Sequence, residues 1–363
     1  MSGKKKLKIK NCIYLVLSLF ILVLIIFLVK NLFFDNTKPD TNKKNSSSKT
    51  EKKEKVGEEP VIKINGEESI KIVLNSPYED LGALATDKED GNLTKNIKVN
   101  NKVKTEKEGE YVVEYTVSDK DGNTVKKERK VTVFEVKDKD TDGIPVFMYH
   151  YFYDDKNGGT GPDSNYLASS LFEEQLKYLS ENDYYFPTMK ELNYYLDGKI
   201  DLPSKSAILT LDDGAESNYS IAYPLAKKYK VPLVMFVVTS WTDVSMELQT
   251  EMTNSGYIRF HSHTDDMHQG GCGEQHGALI LCINHDSGVK DLKTSAEKIG
   301  NADALAYPCG DTNDSAKSIV GEAGFSLAFT TSYGVSKRGL DKLALPRLRI
   351  NDGISLQSFI SML

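Results

Sequence analysis

Asp212 and Asp213 stand side by side in Thr210-Leu211-Asp212-Asp213-Gly214, directly after the apolar run Ala207-Ile208-Leu209. Two carboxylates at the end of a buried strand cost several kcal/mol unless something pairs with them. Strand residues alternate in direction, so the two can do different work: one can bind a metal ion while the other accepts a proton. Gly214 permits a tight exit turn. An ordinary Asp-Asp-Gly turn is the plainer reading of this stretch alone. A second stretch, Phe260-His261-Ser262-His263-Thr264-Asp265-Asp266-Met267-His268, holds three of the six histidines. The spacing from His263 to His268 does not suit one face of a helix, where i,i+3 or i,i+4 is needed. It suits a loop folding back at a strand end. Two imidazoles and one carboxylate fill three positions of a catalytic cation and leave one for water. Asp265 or Asp266 could orient a ligand imidazole from behind. His261 would share the face of His263 on an extended strand.

Two further strand ends carry polar groups. Ala304-Leu305-Ala306-Tyr307-Pro308-Cys309-Gly310 closes in a Pro-x-Gly turn, and Ile144-Pro145-Val146-Phe147-Met148-Tyr149 runs into His150. The elements that must position these groups are legible as well. Apolar runs at 144–149, 206–211, 233–238, 257–260, 304–307 and 326–330 read as buried strands. Amphipathic stretches at 171–179, 189–196, 220–229, 289–299 and 316–323 read as helices. Their alternation predicts an α/β domain, a parallel sheet covered by helices, with the chemistry at the C-terminal strand ends.

The order of motifs, Asp-Asp-Gly, then His-Thr-x-x-x-His, then Tyr-Pro-x-Gly, resembles the polysaccharide deacetylase family with its NodB-type homology domain, over residues 143–363. That resemblance implies a distorted (β/α) barrel. It implies that Asp213, His263 and His268 bind a divalent metal, most often zinc, and that Asp212 is the general base. The backbone N–H of Cys309 would hold the oxyanion. Two departures stand out. The family's Arg two residues before the Pro is here Ala306, and no His follows His285. The five-residue histidine spacing and the opening Pro-Val-x-Met-Tyr-His resemble instead the branch acting on poly-β-1,6-N-acetylglucosamine, in which the early His supplies the acid. This implies His150 as general acid, with Arg347 or Arg349 replacing the missing Arg near Asp212.

The rest of the chain says where such a domain works. Lys4, Lys5, Lys6, Lys8 and Lys10 precede an apolar, uncharged run from Cys12 to Val29. At 1.5 Å rise per residue it comes close to crossing a ~30 Å hydrocarbon core. The expectation is a cytoplasmic tail over residues 1–11 and an uncleaved transmembrane anchor over 12–34, with everything after it outside. Val29-Lys30-Asn31-Leu32-Phe33-Phe34 offers no small-residue cleavage site. Residues 35–60 are polar and read as a disordered tether. Period-two runs over 61–136, separated by Asp90-Gly91-Asn92, Glu108-Gly109 and Asp121-Gly122-Asn123, predict a small β-sandwich. It resembles bacterial surface immunoglobulin-like repeats, with a spacer role or a glycan-binding one. Cys272 and Cys282 could close a short loop or remain free thiols, and Gly270 to Gly277 reads as a flexible loop. A net charge of −6 with no basic stripe in the folded regions gives no reason to expect nucleic acid.

The expected function is therefore N-deacetylation of an N-acetylated glycan polymer by a monomer tethered to the membrane. Tether and sandwich favour peptidoglycan slightly; the histidine spacing favours poly-β-1,6-N-acetylglucosamine. An O-acetyl esterase and a non-catalytic glycan-binding protein are the alternatives.

Overall fold

The computed structural model describes residues 57–241, 244–273 and 277–363. The expected tail, anchor and nearly all of the tether lie outside the described residues. Among the described residues no helix is long and apolar enough to cross a membrane.

The N-terminal strands form two facing sheets. β1 (Val61–Ile64), β3 (Ala83–Asp87) and β4 (Gly91–Asn92) make an antiparallel sheet. The other has the order β2-β7-β6-β5, from β2 (Ser69–Val73), β5 (Lys98–Asn101), β6 (Gly109–Ser118) and β7 (Thr124–Phe134). Alternate residues of these strands, including Ile62, Ile64, Val113, Tyr115, Val117, Val131 and Val133, fill the space between the sheets. This is the burial that their period-two sequence demands. Arg129 is buried here, donating to Asp80 and to the carbonyls of Asn65 and Glu67.

The second part begins with β8 (Val146–Tyr149), then a small parallel pair, β9 (Tyr151–Tyr153) and β10 (Tyr166–Ala168). Helices α1 (Ser169–Glu181) and α2 (Met189–Leu196) follow, then β11 (Ile208–Leu211), α3 (Tyr223–Tyr229) and β12 (Leu233–Val237). Next come α4 (Met246–Ser255), β13 (Ile258–Ser262), α5 (His285–Ile299), β14 (Ala304–Ala306) and α6 (Asp314–Glu322). β15 (Leu327–Tyr333), β16 (Leu345–Arg349) and α7 (Leu356–Ile360) end the chain. Strands 8 and 11 to 16 are all parallel and close into a seven-stranded barrel, β11-β12-β13-β14-β15-β16-β8.

The strands look uniformly apolar in sequence, yet their residues part into two clusters. Val146, Ile208, Val234, Phe236, Ala304, Ala306, Phe329 and Leu345 pack together in the lumen. Phe147, Leu209, Leu233, Met235, Val237, Ile258 and Leu348 meet the helices outside. This alternation decides the site. Thr210 and Asp212 continue the lumen row of β11, and Arg347 continues that of β16.

Candidate active site

Asp212 follows β11 and is buried, 2% exposed, as is Arg347, 1% exposed. The guanidinium meets the carboxylate in a fork: Nη1 donates to Oδ1 and Nη2 to Oδ2, both at 2.7 Å. Arg347 also donates to Thr210 Oγ1 at 3.0 Å and to the Thr330 carbonyl at 3.1 Å. Burial alone would push the Asp212 carboxyl up; Arg347 reverses this and holds it below the ordinary carboxylate range. Of the two arginines expected to reach Asp212, Arg347 does so. Arg349, two residues further along at the C-terminal end of β16, is exposed and donates to Asn165.

Asp213 comes next, off the lumen row by alternation, and its backbone leaves the strand in the left-handed region, at φ +71°. Its Oδ1 lies 3.4 Å from His263 Nε2 and 3.3 Å from His268 Nε2. The three ligand atoms all lie within 4.8 Å of one another, the one such group of His, Cys, Asp or Glu among the described residues. His263 Nδ1 lies 2.7 Å from the Ala306 carbonyl, an acceptor, so Nδ1 carries the proton and the Nε2 lone pair faces Asp213. A lone pair against a carboxylate oxygen is repulsive unless a cation or a proton lies between them. The donor set thus fits a divalent ion held by two nitrogens and one oxygen.

Other groups steady this constellation. His268 stacks edge-on between His263, at 4.6 Å, and Trp241, at 4.8 Å. The loop between the two histidines is pinned by Asp291 of α5, which accepts from the backbone N–H of Asp265 and Asp266 at 2.8 and 2.9 Å. The carboxylates of Asp265 and Asp266 do not serve the ligand imidazoles. Asp265 accepts from Thr239 and Lys298, and Asp266 accepts from Ser240. A backbone carbonyl takes the orienting role instead. Tyr151 donates its hydroxyl to Asp213 Oδ2. Burial first, then the charge of Asp213, push the Tyr151 phenol up.

His150 follows β8, whose Tyr149 is registered against Leu211, and the Asp212 N–H donates to the Tyr149 carbonyl at 3.0 Å. Asn218 Nδ2 donates to the His150 carbonyl at 2.7 Å, and the imidazole Nδ1 is buried without a partner. Burial pulls its pKa down, against the pull of Asp212 and Asp213. Cys309 is exposed, with a free thiol, in the turn after β14 at φ +57°. Gly310 follows at φ +75°, and a Cβ there would collide with Thr331. His261 is buried beside Phe236, at 6.0 Å, and belongs to no ligand group. Cys272 and Cys282 form a disulfide, which closes the glycine-rich segment into a stapled loop. That loop packs on the Cys309 turn, where Ala278 N–H donates to Asp311 at 3.0 Å. Tyr151, Asp291 and Trp241 were not among the sequence candidates. Only Tyr151, adjacent to His150 in a tyrosine-rich strand, carried a usable signal.

A closed parallel barrel with carboxylates and imidazoles at the C-terminal mouth defines a (β/α)-barrel hydrolase. Comparison with known proteins agrees. Residues 199–328 match the model of the polysaccharide deacetylase family, and residues 62–133 that of the bacterial surface protein Ig-like domain. The poly-beta-1,6-N-acetyl-D-glucosamine N-deacetylase of Staphylococcus aureus (strain MRSA252) is 30% identical over 203 residues, covering 52% of this chain and 69% of that protein. The solved structure of IcaB from Ammonifex degensii superposes with a TM-score of 0.54 at 27% identity, over 62% of this chain and 99% of the other. The Streptococcus pyogenes deacetylase PplD, solved with acetate, shares the fold with a TM-score of 0.53 at 24% identity, over 61% and 99%. The chain belongs to the polysaccharide deacetylase family, and it is a hydrolase acting on amide bonds.

Proposed function

We propose that this chain removes acetyl groups from N-acetylglucosamine units of an extracellular polymer, with a divalent cation held by Asp213, His263 and His268. The observation that carries the reading is the convergence of Asp213 Oδ1 on two imidazole Nε2 atoms beside the forked Asp212–Arg347 pair. Zinc suits two nitrogen ligands and one carboxylate oxygen, and the bound ion would supply a Lewis acid and lower the pKa of water. Asp212, kept ionised by Arg347, takes the proton as water attacks the acetamide carbonyl. The Cys309 N–H donates to the developing oxyanion. His150 protonates the departing amine. Burial disfavours the charged imidazole, and the neighbouring Asp212 and Asp213 favour it. The products are acetate and a free amine on the polymer.

Poly-β-1,6-N-acetylglucosamine is the favoured substrate, supported by the likeness to the S. aureus enzyme and by the His263–His268 spacing. The surface-type sandwich and the anchor expected at residues 12–34 support a cell-envelope location and keep peptidoglycan as the second reading. The test is acetate release by the full chain from poly-β-1,6-N-acetylglucosamine, peptidoglycan and an O-acetylated xylan. Release from the first is expected, abolished by a chelator and restored by zinc. Release from peptidoglycan alone would move the substrate to the wall. Release only from the xylan would make the protein an esterase, and none from any of them would leave a binding protein.

A further inference from the structure

His263 is buried, while Asp213 and His268 are only partly so, and each of the three is held by a different partner. His263 is held through Nδ1 by the Ala306 carbonyl, and His268 by the rings of Trp241 and His263. Asp213 has the least backbone support, being on a left-handed turn past the end of β11. Its Oδ1 is turned to both histidines, and its Oδ2 accepts from the Tyr151 hydroxyl. Tyr151 is itself held. Its N–H donates to the Asn165 carbonyl at 3.1 Å, β9 registers it against Tyr166 of β10, and the two rings lie 4.9 Å apart. The phenol is therefore placed before anything binds.

We propose that Tyr151 is a positioning residue for the metal centre: its hydroxyl occupies Asp213 Oδ2, so that a single oxygen of this carboxylate is presented with the two imidazoles. The inference rests on the metal reading above. Without the hydroxyl, the carboxylate can rotate about its Cβ–Cγ bond, and the three donors lose their common focus. Partners that orient a ligand from behind are worth about 10- to 100-fold in metal affinity.

The test uses the full chain stripped of metal, with zinc affinity read by competition against a chromophoric chelator. Wild type, Tyr151→Phe, Tyr166→Leu and Asp213→Asn are compared, and the melting temperature of each metal-free form is recorded. Tyr151→Phe is expected to bind zinc about 10- to 100-fold more weakly while its metal-free form melts as the wild type does. Its acetate release should recover when zinc is raised above the new Kd. Tyr166→Leu, which loosens the ring and keeps the hydroxyl, should bind more tightly than Tyr151→Phe. Equal affinities for wild type and Tyr151→Phe overturn the proposal. A loss in Tyr166→Leu as large as in Tyr151→Phe also overturns it, since packing would then be the cause. Wild type and Asp213→Asn binding zinc equally poorly would instead sink the metal reading itself.

Discussion

Asp213, Thr264 and Cys309 all have left-handed backbone conformations, at φ +71°, +77° and +57°. They are half of the six non-glycine residues with positive φ among the described residues, and each follows a different barrel strand. A β-branched residue such as Thr264 is the most strained of them, and such positions cost about 1–3 kcal/mol each. All three turns lie just past strand ends, and strain of this kind persists only where the surroundings hold it. Asp212 is the opposite case, a residue on the regular lumen row whose cost is electrostatic. Removing one partner of a buried ion pair leaves the other uncompensated, a loss of about 3–5 kcal/mol. Arg347→Met should therefore lower stability by about that much, read from urea unfolding. Arg347→Met with Asp212→Leu should recover most of the loss and still release no acetate. If the double variant is no more stable than the single one, the pair is not what the arginine serves.

Among the elements, the sequence revealed those whose apolar pattern was continuous. The strand candidates at 206–211, 233–238, 257–260 and 304–307 overlap β11 to β14, and the helix read at 189–196 coincides with α2. It concealed those in which function interrupts pattern. β16 closes the barrel, yet Pro346, Arg347 and Arg349 break its apolar run, so it read as a carrier of arginines and not as a strand. α4 has one fully buried residue, Met252, and gave no periodic signal. β3 was missed because Ala83, Ala85 and Asp87 are weak strand formers. The fold class and the ligand group were legible because both rest on local spacing. Asp291 and Trp241 were not, because their roles depend on contacts across the chain, and Tyr151 was marked only by its place beside His150. α1 shows the same limit at its start. It has no side-chain cap of its own, and Asp155 from a preceding turn accepts from Ser169, from Ser170 N–H and from Ser170 Oγ. Burial pushes this carboxyl up, but the serine hydrogen bonds outweigh it and bring it down to about 2. The folded pKa is below the unfolded value of ~3.9, so the stability it contributes is complete above ~pH 5 and is lost as pH falls through about 4 to 2. Wild type should exceed Asp155→Asn in urea midpoint at pH 6, and the gap should narrow by pH 2.5. A gap that widens in acid would contradict this.

The sandwich at 61–136 and the barrel at 143–363 were read from sequence as separate domains, the first a spacer or a glycan-binding module and the second an enzyme. Within the described residues they share a core. Val73 at the end of β2 and Val136 just beyond β7 belong to the same buried cluster as the lumen residues, with Ile144, Met189 and Leu192. Polar contacts reinforce it. Gly66 N–H donates to the Asn254 carbonyl at 2.7 Å, Ser76 donates to Glu191 at 2.8 Å, and Lys230 pairs with Glu67 at 3.0 Å. These contacts lie at the N-terminal ends of the barrel strands, away from the ligand group. The sandwich therefore covers the barrel's floor, which would otherwise expose apolar side chains to water. Domains in one chain that meet mainly through polar surface unfold separately; an apolar junction couples them. Val73→Asp places a charge in that junction at a cost of several kcal/mol. Trp241, the only tryptophan of the chain, sits beside His268 and reports on the barrel alone. In wild type, its fluorescence and the far-ultraviolet signal of the whole chain should melt together. In Val73→Asp, the Trp241 midpoint should fall by about 5–10 °C, although the substitution is in the other domain. A Trp241 midpoint that does not move would mean that the barrel stands without its floor, and that the sandwich serves only as a spacer.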